Sequence, residues 1–154
     1  GLLQKYQGRA LLLATSACAI HCRYCFRRHF PYNDHHGIHQ RWHDAFANIR
    51  ADTSIRELIL SGGDPLTLTD DHLAEMTQAL ETIPHIETLR LHSRIPIVLP
   101  ERVNPGLLKW ISSTRLKIVM VVHSNHANEI NTDTRSGKRY AICVANIPPN
   151  EYPR

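Results

Sequence analysis

The stretch RALLLATSACAIHCRYC, residues 9–25, opens with an apolar run and closes on three cysteines. Leu11 to Ala14 has the length of a buried strand and stops at Thr15 and Ser16, which places Cys18, Cys22 and Cys25 in a loop beyond the strand's carboxyl end. The same order recurs further along the chain. Asp34 to Gly37 reads as a turn, and Trp42, Ala45, Phe46 and Ile49 then recur at helical spacing, which predicts a first helix over about Gln40 to Arg50. Leu58 to Leu60 is a second short apolar run, ended by Ser61, Gly62, Gly63, Asp64 and Pro65.

Thr69 is a candidate N-cap ahead of Asp70 and Asp71, whose carboxylates favour the positive end of a helix. Leu73, Met76, Leu80 and Ile83 supply the apolar stripe of that second helix, which runs to about Thr82. Thr88 to Leu91 reads as a third strand, followed by His92, Ser93 and Arg94 and by a loop from Pro96 to Pro100. Asn104 and Pro105 pair an N-cap with a first-turn proline for a short third helix carrying Leu107, Leu108 and Ile111. Leu116 to Val122 is the fourth strand, ending at His123, Ser124, Asn125 and His126.

Strands alternating with helices predict a mainly parallel α/β sheet. Four polar clusters, Cys18 to Cys25, Ser61 to Asp64, His92 to Arg94 and His123 to His126, each follow the carboxyl end of a predicted strand. In barrel-like α/β folds that face is where active sites are assembled, so the four clusters are expected to meet at one mouth.

Composition narrows the classes. The chain of 154 residues has the size of one domain, and its 42% hydrophobic and 21% charged residues are ordinary globular usage, which argues against a disordered or fibrous protein. Its longest apolar runs, Ala10 to Ala14 and Ile118 to Val122, are too short to cross a bilayer and no leader pattern opens it, so a cytoplasmic location and no membrane partner are expected. The net charge of +4 comes from 18 Lys and Arg against 14 Asp and Glu, with Arg23, Arg27 and Arg28 beside the cysteines, and favours a small anionic ligand over nucleic acid. Gly rather than Met stands first, so the chain is treated as a candidate fragment.

Three cysteines within eight residues suit a metal better than a disulfide framework in a chain with no secretory features. Three thiolates leave one metal position open. An iron-sulfur cluster tolerates that, whereas a structural zinc would need Cys143, His21 or His29 to complete four ligands. The residues themselves leave open a cluster, a zinc site and merely redox-active or buried cysteines. A zinc-dependent nucleic-acid-binding module using Arg23, Tyr24 and Phe26 to Phe30 is the competing reading.

The run CAIHCRYCFRR, residues 18–28, resembles the signature of the radical S-adenosylmethionine (radical SAM) superfamily. The segments LSGGDPL (60–66), HSRIPIVLP (92–100) and HSNHANEI (123–130) resemble lysine 2,3-aminomutases. Within that family, residues 22–32 are closer to the bacterial enzyme that supplies (R)-beta-lysine for elongation factor P than to the free-lysine catabolic enzymes.

The resemblance implies a partial (β/α) barrel of the radical SAM type, with about four of its six β/α units in residues 1–130 and an atypical tail, disordered or frame-shifted, in residues 131–154. It implies a 4Fe-4S cluster on Cys18, Cys22 and Cys25 with S-adenosylmethionine on the open iron, pyridoxal 5'-phosphate, lysine as substrate, and a reductant such as flavodoxin or ferredoxin. Carried over residue by residue, Ser61, Gly62, Gly63, Asp64, Ser93, Arg94, His123 and Asn125 would contact S-adenosylmethionine. Lys5, Tyr6 and Arg9 would hold the pyridoxal phosphate, with Lys5 replacing an expected arginine, although the residues taken alone favour a solvated basic turn. Arg27 would grip the substrate carboxylate, for which a planar guanidinium is suited. The family's pyridoxal phosphate lysine has no counterpart here and Cys143 is given no ligand role, so the isolated chain is expected to bind the cluster and S-adenosylmethionine without rearranging lysine.

Overall fold

The computed structural model describes residues 2–22, 25, 38–124, 129 and 142–146, with backbone alone for 3–6, 38–41 and 142–146. Its six strands are β1 (Leu2–Tyr6), β2 (Arg9–Thr15), β3 (Glu57–Gly62), β4 (Thr88–Ser93), β5 (Lys117–Ser124) and β6 (Ile142–Asn146). They form one sheet in the order β1-β2-β3-β4-β5-β6, with β1 antiparallel to β2 and every later pair parallel. The order never reverses, unlike a doubly wound sheet, whose strand order switches direction midway.

Helices α1 (Ile38–Ala51), α2 (Asp70–Glu81), α3 (Ile95–Val98) and α4 (Pro105–Ser113) fill the crossovers, with 3-10 turns at Pro65–Thr67 and Pro100–Arg102. The expected caps are in place. The Thr69 hydroxyl accepts from the His72 N–H at 3.3 Å, and Asn104 Oδ1 accepts from the Leu107 N–H at 3.0 Å. Trp42, Phe46 and Ile49 of α1, Leu73, Met76 and Leu80 of α2, and Leu107 and Trp110 of α4 share one core with Leu12, Leu58, Leu60, Leu89, Leu91, Met120 and Val122 of the strands. The helices therefore lie on one face of the sheet. Side chains alternate along a strand, so Leu11, Leu13, Ile59, Arg90, His92, Val119, Val121 and His123 occupy the opposite face.

Three elements depart from the sequence expectations. β1 precedes the expected first strand and turns into it through Gln7 and Gly8, where Gly8 has φ +77°, a backbone state that favours glycine. The expected loop between Pro96 and Pro100 contains α3, because a proline in the first turn of a helix costs no hydrogen bond. The segment 131–154, expected to lack regular structure, contributes β6, which pairs Met120 to Ser124 with Ile142 to Asn146 and covers the β5 edge that four strands alone would leave open. No helix among the described residues is long and apolar enough to cross a membrane.

Candidate active site

The loop after β2 is fastened to the turn after β3 by backbone alone. The Gly63 N–H donates to the Thr15 carbonyl at 2.6 Å and the Asp64 N–H to the Ala17 carbonyl at 2.7 Å, one residue before Cys18. Two chains can approach this closely only where a side chain is missing. A Cβ on Gly62, at φ +113°, would collide with the Thr15 oxygen, and one on Gly63 with the Ala17 oxygen. The glycines thus form a cradle for the cysteine loop.

Asp64 extends the fastening to the next strand. Its side chain is buried; Oδ1 accepts from the Leu66 N–H at 3.0 Å and the Ser93 hydroxyl at 2.7 Å, while Oδ2 accepts from the N–H groups of Arg94 at 2.8 Å and Ile95 at 3.2 Å. Ser93, only 1% exposed, also accepts from the Ile95 N–H at 3.0 Å. Both side chains expected to meet a cofactor are thus engaged in joining strand ends.

Arg94 leaves the same turn toward the cysteines. Its Nη1 lies 3.7 Å from Cys22 Sγ and its Nη2 2.9 Å from Glu129 Oε1, and the other oxygen of Glu129 accepts from the Ser124 hydroxyl at 3.1 Å. On the face away from the helices, His123 Nε2 lies 3.3 Å from His92 Nδ1, with ring centroids 5.3 Å apart. Burial pushes His123 below the usual histidine range; the Asp64 carboxylate pulls it back up and the Arg94 charge pushes it further down.

Cys18 and Cys25 are exposed and Cys22 is half-buried, and the Cys25 N–H donates to the Cys22 carbonyl at 3.3 Å. Although Cys18 is exposed, partial withdrawal of its thiol from water, then the Asp64 carboxylate and the other two cysteines, hold it above its usual value, with the Asp64 backbone N–H acting the other way. Binding a cation there displaces that proton. Among the described residues no three His, Cys, Asp or Glu side chains converge on a point that one ion could occupy. Tetrahedral zinc takes thiolates at about 2.3 Å and so draws its sulfurs together. A polynuclear cluster lets each thiolate ligate its own iron and is satisfied by the three cysteines of this loop, whereas a structural zinc takes four protein ligands.

The structure brings together Cys18, Cys22, Cys25, Gly62, Gly63, Asp64, Ser93, Arg94 and His123, with Ser61 buried at the end of β3. It does not bring Arg9 to them. Arg9 begins β2 at the opposite end of the sheet, 54% exposed and paired through Nε with Glu57 Oε2 at 2.8 Å; Arg90 pairs with the other oxygen of Glu57. Lys5 and Tyr6 lie in β1, but their side chains, and Arg27 and Asn125 entirely, are outside the described residues. His92 and Ser124 fell within the polar clusters expected at the mouth but were given no individual role, and Glu129 was given none. Glu129 follows β5 by five positions and lies in the segment 123–130 that carries part of the family resemblance, where a single carboxylate in a polar loop gave no sign of its partner.

A cleft of about 430 Å³ lies behind the loop, bordered by Ala19, Leu66, Ile95, Leu99 and Arg102, and none of the three cysteines lines it. Arg102 is engaged there with the Leu66 and Leu68 carbonyls, each at 3.0 Å, and with Asp70 at 2.7 Å.

Residues 7–89 match the family described as the 4Fe-4S single cluster domain. The chain is 47% identical to the L-lysine 2,3-aminomutase of Escherichia coli K12 over 135 residues, covering 88% of this chain and 40% of that protein. It is 50% identical over 131 residues to the protein of the same name from Buchnera aphidicola subsp. Baizongia pistaciae, covering 85% and 38%. With that from Clostridium subterminale it shares 37% over 135 residues, covering 87% and 32%. The chain thus spans at most 40% of the length of these three relatives.

Proposed function

This chain belongs to the 4Fe-4S single cluster domain family, and we propose on that premise that its mouth is the cluster and S-adenosylmethionine site of a radical enzyme of the lysine 2,3-aminomutase type. The observation that carries the reading is the convergence on one cysteine loop of two separate strand ends, through the Gly63 and Asp64 N–H groups and through Arg94. Bound there, such a cluster with S-adenosylmethionine supplies one-electron cleavage of the sulfonium and a carbon radical able to abstract hydrogen from substrate.

The residues of this chain hold and orient. Cys18, Cys22 and Cys25 are the iron ligands, and the Gly62–Gly63 cradle fixes their loop. The Gly63 and Asp64 N–H groups already serve Thr15 and Ala17, and the Asp64 carbonyl accepts from the Thr67 N–H and hydroxyl, so the group this backbone would offer an ammonium is the Gly63 carbonyl oxygen. Asp64 and Ser93 act by setting the strand ends. His123 lines the adenosine side of the mouth, and Asn125 joins it in the same role. Arg27 takes the substrate carboxylate.

Lys5, Tyr6 and Arg9 keep the pyridoxal phosphate role that the resemblance implies. For Arg9 this requires its guanidinium to exchange Glu57 for phosphate, with Arg90 left to hold that carboxylate. The sheet, adding each parallel strand on the same edge, is read as the partial barrel of this enzyme class. Lysine is the substrate, (R)-beta-lysine for elongation factor P the product, and a small one-electron carrier such as flavodoxin or ferredoxin the reductant.

Anaerobic reconstitution with iron and sulfide, followed by electron paramagnetic resonance with and without S-adenosylmethionine, tests the site. A reduced 4Fe-4S signal that changes on adding S-adenosylmethionine is expected. Retention of zinc with no cluster would overturn the reading. Incubation of the reconstituted chain with lysine, S-adenosylmethionine, pyridoxal phosphate and reductant is expected to yield no (R)-beta-lysine, because the family's pyridoxal phosphate lysine has no counterpart in these residues; turnover would overturn that part of the reading.

A further inference from the structure

We infer that Arg94 is a positioning residue for the cluster, gripping the sulfur of Cys22 with one arm of its guanidinium while Glu129 holds the other, and that this pair sets the reduction potential of the site. The inference rests on the reading of the mouth as a cluster site.

Arg94 is fixed at both ends. Its backbone N–H is bound to Asp64 Oδ2 at 2.8 Å, and its side chain, 15% exposed, forks between Cys22 Sγ at 3.7 Å and Glu129 Oε1 at 2.9 Å. Glu129 is itself held by the Ser124 hydroxyl at 3.1 Å. Three strand ends, those of β3, β4 and β5, therefore determine where one guanidinium meets one cysteine. Cys22 is also the least exposed of the three cysteines, so this contact lies on the sheltered side of the loop.

A donor aimed at a ligating sulfur acts on the metal behind it. Adding an electron increases the negative charge that the sulfurs carry, and a nearby guanidinium stabilises the reduced state more than the oxidised one. Arg94 thus raises the potential. The Glu129 carboxylate opposes it. Substitutions at the two positions must therefore push the potential in opposite directions, which a purely structural role would not produce.

The experiment is a redox titration with dithionite, followed by electron paramagnetic resonance, on anaerobically reconstituted wild type, Arg94→Gln, Arg94→Lys and Glu129→Gln. Iron and sulfide counts and circular dichroism are recorded for each. Arg94→Gln is expected to move the midpoint to a more negative value and Glu129→Gln to a less negative one. Arg94→Lys falls between wild type and Arg94→Gln, since an ammonium keeps the charge and loses the fork. If Arg94→Gln does not fold, the sign of the Glu129→Gln shift decides. Folded variants whose midpoints equal that of wild type, or that shift in the same direction, overturn the inference while leaving the cluster reading intact. Wild-type protein that assembles no 4Fe-4S cluster overturns the cluster reading itself, and this inference with it.

Discussion

The hydroxyl of Ser93 donates to Asp64 Oδ1 at 2.7 Å, joining the end of β4 to the turn after β3 between residues 29 apart in the chain. Asp64 also serves three backbone N–H groups from both turns, so one buried carboxylate decides how two strand ends sit against the cysteine loop.

Asp64→Asn replaces one acceptor oxygen by an NH2 group that cannot accept, leaving buried donors without a partner. A loss of about 1–3 kcal/mol is expected, the cost of stranding such groups. Ser93→Ala removes a single donor and is expected to cost about 1 kcal/mol. Urea unfolding of the two variants checks the order; equal stability for wild type and Asp64→Asn would show the staple to be redundant.

Gly63→Ala places a methyl group against the Ala17 carbonyl and breaks the backbone contacts that seat the cysteine loop. Overpacking of this kind costs about 1–3 kcal/mol, and here the displaced segment carries the iron ligands. Iron bound after reconstitution is expected to fall several-fold. Gly8→Ala is the control, since its Cβ would meet only the Ser54 carbonyl, at 3.7 Å. Its left-handed backbone costs about 1 kcal/mol and iron uptake should be unchanged. Equal iron uptake by both variants would remove the cradle from the account.

The helices were legible because their signals are local: Trp42, Ala45, Phe46 and Ile49 form one face, and Thr69 and Asn104 cap the turns directly ahead of them. The assembly of polar clusters at strand ends was legible too, since each cluster directly follows its apolar run. β6 was not, because ICVAN becomes a strand by pairing with Met120 to Ser124 and carries little alternation of its own. The partners of Asp64 were hidden for a related reason. A carboxylate beside two glycines suggests a ligand contact, and only the fold reveals that Ser93, Arg94 and Ile95 reach it first. Arg9 is the reverse case: beside Tyr6 it suggested a phosphate, while Glu57, which it meets across the sheet, is 48 positions away.

Arg115 separates stability from the site. Its guanidinium donates to the carbonyls of Glu81 and Ile83, each at 2.9 Å through Nη2, and of Ile86 at 2.9 Å through Nη1, closing the carboxyl end of α2. A cation there also complements the helix dipole. Arg115→Met is expected to lower stability by about 1–2 kcal/mol. Because Arg115 precedes β5 while the cysteine mouth lies beyond the strands' far ends, iron uptake should match wild type. A loss of iron without a loss of stability would contradict that separation.

His123 gives the folded protein a pH dependence whose sign can be worked out. Burial holds its folded pKa below the ordinary 6.5, and the Arg94 charge adds to that against the pull of Asp64. Between the two values the unfolded chain binds a proton that the folded chain does not, so stability falls as pH drops below 6.5 and levels off once the folded imidazole is charged. Above 6.5 the contribution is fully present. His123→Gln keeps a polar side chain beside His92 but cannot titrate. Thermal melts from about pH 7 down to about pH 5, the range in which histidine changes charge, should show a shallower decline for His123→Gln than for wild type. Other groups titrate in both proteins, so the difference between the curves is the quantity to read. Parallel curves would mean that the imidazole takes up its proton as readily in the fold as in water, and its burial would then carry no electrostatic cost.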